Sequence, residues 1–94
     1  MYILRIEHKA LSFEEWKQAF DSDPAGRARL GVRRYRIARA VDDPNHVMID
    51  LEFDTESQAT ALLAALRGVW ARLEGSVLTD PQARIAEVFE SRDL

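Results

Sequence analysis

The order in which two hydrophobic periods alternate constrains this chain more than any other feature. Residues 2 to 8 set Tyr2, Leu4, Ile6 and His8 against Ile3, Arg5 and Glu7, the two-residue period of a half-buried strand with the even positions on its core face. Leu11-Ser12-Phe13-Glu14-Glu15-Trp16 then switches to helical spacing. The Ser12 hydroxyl is placed to accept from the Glu15 N–H while the Glu15 side chain reaches back to Ser12, a capping box, and Leu11 and Trp16 occupy hydrophobic-staple positions. Phe13, Trp16 and Phe20 continue one apolar face, which predicts a first helix to about Phe20. Asp23-Pro24 as N-cap and first helical residue, with Gly31 as a stop, predicts a short extra helical turn over Ala25 to Leu30.

Period two returns from Val32 to Val41 and from Val47 to Phe53, around the turn-rich loop Asp42-Asp43-Pro44-Asn45-His46. Pairing Val41 with Val47 sets Arg39, Ile37 and Tyr35 opposite Ile49, Leu51 and Phe53. The other face then sets Ala40, Ala38, Arg36 and Arg34 opposite Met48, Asp50, Glu52 and Asp54. Hydrophobic burial and charge pairing select this register together. Thr55-Glu56-Ser57-Gln58 is a second capping box, and Ala59, Leu62, Leu63, Leu66, Trp70 and Leu73 predict a long helix ending at Gly75. Gly68 inside it marks a bend or a close contact. After a Thr79-Asp80-Pro81 breaker, a last strand is expected over Ala83 to Glu90, with Ile85 and Phe89 competing against Ala86 and Val88 for its buried face.

Strand, helix, strand, strand, helix, strand, joined by right-handed crossovers, is a ferredoxin-like βαββαβ α+β fold: a four-stranded antiparallel sheet with both helices on one face. At 94 residues the chain is expected to be one domain over 1–94, burying roughly 60–65% of its surface. It has no cysteine, so neither disulfides nor thiolate metal sites can brace a small core, and self-association is the remaining support. The helix-free face carries Ile3, Ala38, Ala40, Met48 and Val88 among Arg5, Glu7, Arg34, Arg36, Asp50 and Glu52. That mixture is too apolar for water alone and predicts a homodimer. No apolar run approaches the roughly 18 residues of a membrane span, so the expectation is no membrane partner and a cytoplasmic location.

The whole chain resembles the dimeric α+β barrel superfamily, in which two such sheets close face to face and to which antibiotic-biosynthesis monooxygenase-like and polyketide-cyclase-like proteins belong. The stretch that carries the likeness is Gly31-Val32-Arg33-Arg34-Tyr35-Arg36, leading through Asp42-Asp43-Pro44-Asn45 to Ile49-Asp50-Leu51-Glu52-Phe53-Asp54, which is similar to small cyclase-like proteins. The resemblance implies a ligand cavity between sheet and helices. Cofactor-independent oxygenases of the superfamily are associated with asparagine, tryptophan, tyrosine and arginine around an aromatic substrate. Trp16, Tyr35 and Arg33 supply three of these types, and the one asparagine, Asn45, falls in the expected hairpin loop. Haem-degrading members use a histidine on the second long helix, where residues 55 to 73 have none, so no cofactor is expected.

Levelling the end of strand one with the starts of strand two and helix one brings His8, Tyr35 and Trp16 together. On that reading His8 moves a proton, Tyr35 orients a phenolic substrate and Arg33 stabilises an enolate or carboxylate. Trp16, Phe20, Leu66 and Trp70 line the cavity as substrate-binding residues. The bland alternative leaves His8 at a strand end in water and the aromatics in the core. With two histidines far apart, His8 and His46, no metal-ligand spacing exists. Six arginines lie between Arg27 and Arg39, but strand three offers Met48, Asp50 and Glu52 where an RNA-binding sheet needs aromatics, so nucleic acid is not an expected partner. Two functions stay open: an oxygenase or cyclase acting on an aromatic or polyketide-like compound, or a non-enzymatic ligand-binding or structural dimer.

Overall fold

The computed structural model describes residues 1–94. Six elements follow one another: β1 (Tyr2–Ala10), α1 (Phe13–Asp21), β2 (Arg34–Ala40), β3 (Asp43–Phe53), α2 (Glu56–Leu73) and β4 (Leu78–Glu87). The strands form one antiparallel sheet in the order β2-β3-β1-β4, the ferredoxin-like topology expected from the alternation of periods.

The pleat sorts every side chain. On one face the cross-strand rows are Tyr35-Leu51-Leu4-Ile85, Ile37-Ile49-Ile6-Ala83 and Arg39-Val47-His8. Leu4, Ile6, Val47, Ile49, Leu51 and Phe53 are buried there with Trp16 of α1 and Ala59, Leu62 and Trp70 of α2, which places both helices on this side. The opposite face carries the rows Arg34-Glu52-Ile3-Ala86, Arg36-Asp50-Arg5-Arg84 and Ala38-Met48-Glu7-Gln82. No helix covers it. Its strongest bond is a bidentate pair in which Arg5 donates to Asp50 at 3.0 and 3.1 Å.

The β2–β3 register differs from the expectation by two residues: Arg39 opposes Val47, Ile37 opposes Ile49 and Tyr35 opposes Leu51. A slip of two keeps each side chain on its face, so burial and charge patterning cannot distinguish the alternatives. The turn decided it. Ala40 pairs with Asp43 around the two residues Val41-Asp42, with an irregularity after Arg39, so Asp43-Pro44-Asn45-His46 opens β3 rather than forming a loop. The ion pairs move accordingly, Arg34 meeting Glu52 at 3.2 Å and Arg33 meeting Asp54 at 3.6 Å, in place of Arg34 with Asp54 and Arg36 with Glu52.

Three other boundaries shift. β4 begins at Leu78, and Thr79-Asp80-Pro81 lies inside it; Asp80 takes φ 56° where the β1–β4 register slips, and proline is tolerated because β4 is an edge strand. Ile85 takes the buried side, and Phe89 lies beyond the strand in the open. Residues 25–30 make consecutive turns rather than a helix: Asp23 adopts φ 52° and its carboxylate accepts from the Arg27 N–H at 2.9 and 3.1 Å. At α1 the Ser12 hydroxyl accepts from the Glu15 N–H but also turns to Glu14, so only half of that capping box forms; at α2 both halves are present.

Candidate functional site

Between the sheet and the helices runs a chain of aromatic rings anchored on α1. Its helical spacing stacks Phe13 against Trp16 at 5.7 Å and Trp16 against Phe20 at 5.2 Å between centroids. The chain reaches the sheet at both ends, where Trp16 meets His8 at 5.3 Å and Phe20 meets Tyr35 edge-on at 5.1 Å.

His8 and Tyr35 therefore stand at opposite ends and do not converge. β1 and β2 flank β3 and run parallel to each other, so the end of β1 is level with the end of β2: His8 shares a row with Arg39, and Tyr35 shares one with Leu4. Four residues along the strand and two strands across separate their backbones by roughly 16 Å. The expected convergence of His8, Tyr35 and Trp16 is corrected on this point. Trp16 touches His8, and Phe20 touches Tyr35.

His8 is not in water, since only 2% of it is exposed. Its Nδ1 lies 3.2 Å from the Lys9 carbonyl oxygen, a contact that makes Nδ1–H the donor of the neutral ring and leaves Nε2 as an acceptor. Burial pushes its pKa below the ordinary 6.5, against the carbonyl contact that favours the cation, and His46 adds a smaller lowering.

Two hollows adjoin Phe20. The first is an apolar cavity of about 60 Å³ between the sheet and both helices, walled by Ile6, Ile49, Phe20, Leu66, Trp70 and Leu73 with Asp23 and Arg27 at its rim. The second is an open groove of about 450 Å³ at the start of β2, lined by Asp23, Arg27, Val32, Arg33, Arg34 and Tyr35. Of the expected site residues, Phe20, Leu66 and Trp70 border the cavity and Tyr35 and Arg33 border the groove. Trp16 is buried behind the cavity, and His8 borders neither hollow.

Arg27 joins the two hollows, and sequence reasoning missed it. Its guanidinium lies 3.8 Å from the Phe20 ring centroid and 5.1 Å from that of Tyr35, and Nη1 donates to the Phe20 carbonyl at 2.7 Å. The available signal was Asp23, four residues before Arg27 in a Pro-Gly turn, which fixes the arginine's backbone. Asn45 also sits differently, in β3, with its Oδ1 accepting from the Phe13 N–H at 3.1 Å and so capping α1. No three histidine, cysteine or acidic side chains gather in metal-binding geometry, and no helix is long and apolar enough to cross a membrane.

Searches with the sequence match no family model and no curated protein. Solved structures do match in three dimensions. A candidate antibiotic biosynthesis monooxygenase of Nitrosomonas europaea superposes with a TM-score of 0.70 at 18% identity, covering 96% of this chain and 100% of that one. SnoaB, a cofactor-independent oxygenase from Streptomyces nogalater, gives 0.74 at 14% identity over 96% and 94% of the two chains. A dimeric ferredoxin-like protein from an uncultured marine organism gives 0.64 at 11% identity over the full length of both. A manganese protoporphyrin IX complex of MhuD matches as well, at 0.66 and 13% identity over 97% and 98%. Identities this low carry architecture and leave chemistry open. By its topology and these superpositions, the chain has the ferredoxin-like α+β fold shared by antibiotic biosynthesis monooxygenase-like and dimeric ferredoxin-like proteins.

Proposed function

We propose that this chain forms a homodimer through its open sheet face and binds a small aromatic or polyketide-like compound in the cleft between sheet and helices. The observation that carries the reading is the apolar cavity walled by Phe20, Leu66 and Trp70 and continuing past Arg27 into a polar groove, the usual composition of a small-molecule site. Dimerisation is supported by Ile3, Ala38 and Met48 on the uncovered face and by fold neighbours described as dimeric.

The chemistry we assign to the cleft is cofactor-independent oxygenation, as the likeness to SnoaB suggests. Tyr35 and Arg33 are the residues we assign to hold the oxygen of a phenolic or enolic substrate. A second reading, binding without turnover, is favoured by one specific observation: the buried histidine lies away from Tyr35, so the groove lacks an imidazole base.

Thermal melts with quinones, anthrones and aromatic acids test the cleft. A true ligand at 100 times its dissociation constant adds about 2.7 kcal/mol of stability. Leu66→Trp, which fills the cavity, should abolish that shift; a shift that survives the filling would place binding elsewhere. Oxygen uptake with any stabilising anthrone then separates the two readings.

A further inference from the structure

We infer that the ligand of this cleft is an amphiphilic anion, its aromatic body in the apolar cavity and a carboxylate or enolate oxygen in the arginine groove. The inference rests on the cleft reading above and adds a charge to the ligand. A cavity of about 60 Å³ cannot enclose a polycyclic molecule, so the remainder of such a ligand must extend past the rim. Asp23 and Arg27 are common to the linings of cavity and groove, so the way out leads along Arg27.

What waits there is positive. Three arginines, Arg27, Arg33 and Arg34, line the groove against one acid, Asp23. Two further acids lie beside it: Glu52 holds Arg34 at 3.2 Å, whereas Asp54 stands 3.6 Å from Arg33, beyond a hydrogen bond. The Arg27 guanidinium is held in place before any ligand arrives. The Phe20 ring lies 3.8 Å beneath it, Nη1 donates to the Phe20 carbonyl, and Asp23 fixes its backbone N–H. A positioned guanidinium with further N–H donors, beside the Tyr35 ring and a second arginine, suits an anionic oxygen better than a neutral one. The apolar cavity supplies affinity that does not depend on charge, and the groove selects for the anion.

Titration calorimetry with 2-naphthoate and its neutral isostere 2-naphthamide tests this near neutral pH. The naphthoate should bind about tenfold or more tightly than the amide, the ratio expected of one charge-assisted hydrogen bond. Arg27→Gln and Arg33→Gln should each remove most of that ratio by weakening the acid alone, and Leu66→Trp should weaken both compounds. Because Arg27 is packed and Arg33 is exposed, Arg33→Gln carries the test if Arg27→Gln disturbs the fold. Equal affinity for acid and amide, or a ratio unchanged in Arg33→Gln, overturns the anion assignment and leaves the cleft reading standing. If neither compound binds at millimolar concentration, both readings fall.

Discussion

The imidazole of His8 packs on the indole of Trp16 with ring centroids 5.3 Å apart and planes inclined by 59°, and both residues are buried. A charged imidazolium there would lose its water and gain only the Lys9 carbonyl in return, which is why burial depresses its pKa.

The consequence is a pH dependence of stability. With the folded pKa below the unfolded 6.5, the unfolded chain binds more protons as pH falls through 6.5, so stability drops over that range and levels off below the folded pKa. Above 6.5 the penalty is absent. Urea denaturation between about pH 5 and 8 should show this slope in the wild type and a flatter one in His8→Gln. Equal slopes would mean that His8 is not the group responsible.

Gly31 carries a second dependence. It adopts φ 100°, and a Cβ there would stand 2.7 Å from Nε2 and 2.8 Å from Cδ of Gln58, the residue that completes the α2 capping box. Gly31→Ala should cost about 1–3 kcal/mol from backbone strain and a displaced cap. In a Gln58→Ala background the cost should shrink toward the strain alone. A double-mutant cycle by chemical denaturation reads the coupling; additive losses would show that the contact with Gln58 is relieved without cost.

Gly68 works in the opposite sense. It lies in α2 with nothing within 4 Å of the place its Cβ would occupy, so the structure shows no close contact to require glycine. Gly68→Ala should raise stability by about 0.5–1 kcal/mol, seen as a higher Tm.

The open sheet face gives a test of assembly. Met48 is partly buried on it, in one row with Ala38, Glu7 and Gln82. Met48→Glu adds a charge at the centre of an interface and should convert the dimer to a particle near 10.7 kDa by light scattering. A wild-type particle already of that mass removes the homodimer proposal.

Much of the fold was legible because its signals are local. Ser12 and Thr55 mark helix starts, the alternation from Tyr2 to His8 marks a strand and its inner face, and the spacing from Ala59 to Leu73 marks α2. The errors share a cause. A two-residue slip between β2 and β3 leaves every face unchanged, and Asp80-Pro81 reads as a breaker unless its strand is known to lie at an edge. The site was legible only in part. Phe20, Leu66 and Trp70 come to one cavity because helical spacing puts them on apolar faces, whereas the separation of His8 from Tyr35 depends on how three strands align.

By itself the sequence determined the kinds of elements, their order and which side of each is apolar, since these follow from backbone periods and caps within a few residues. Only the tertiary structure decided which residues become neighbours. The parallel relation of β1 and β2 across β3 parts His8 from Tyr35, and the turn at Asp23 swings Arg27 over Phe20. Such distances are set by strand register and chain reversal, which couple positions too distant in the chain for local periodicity to report.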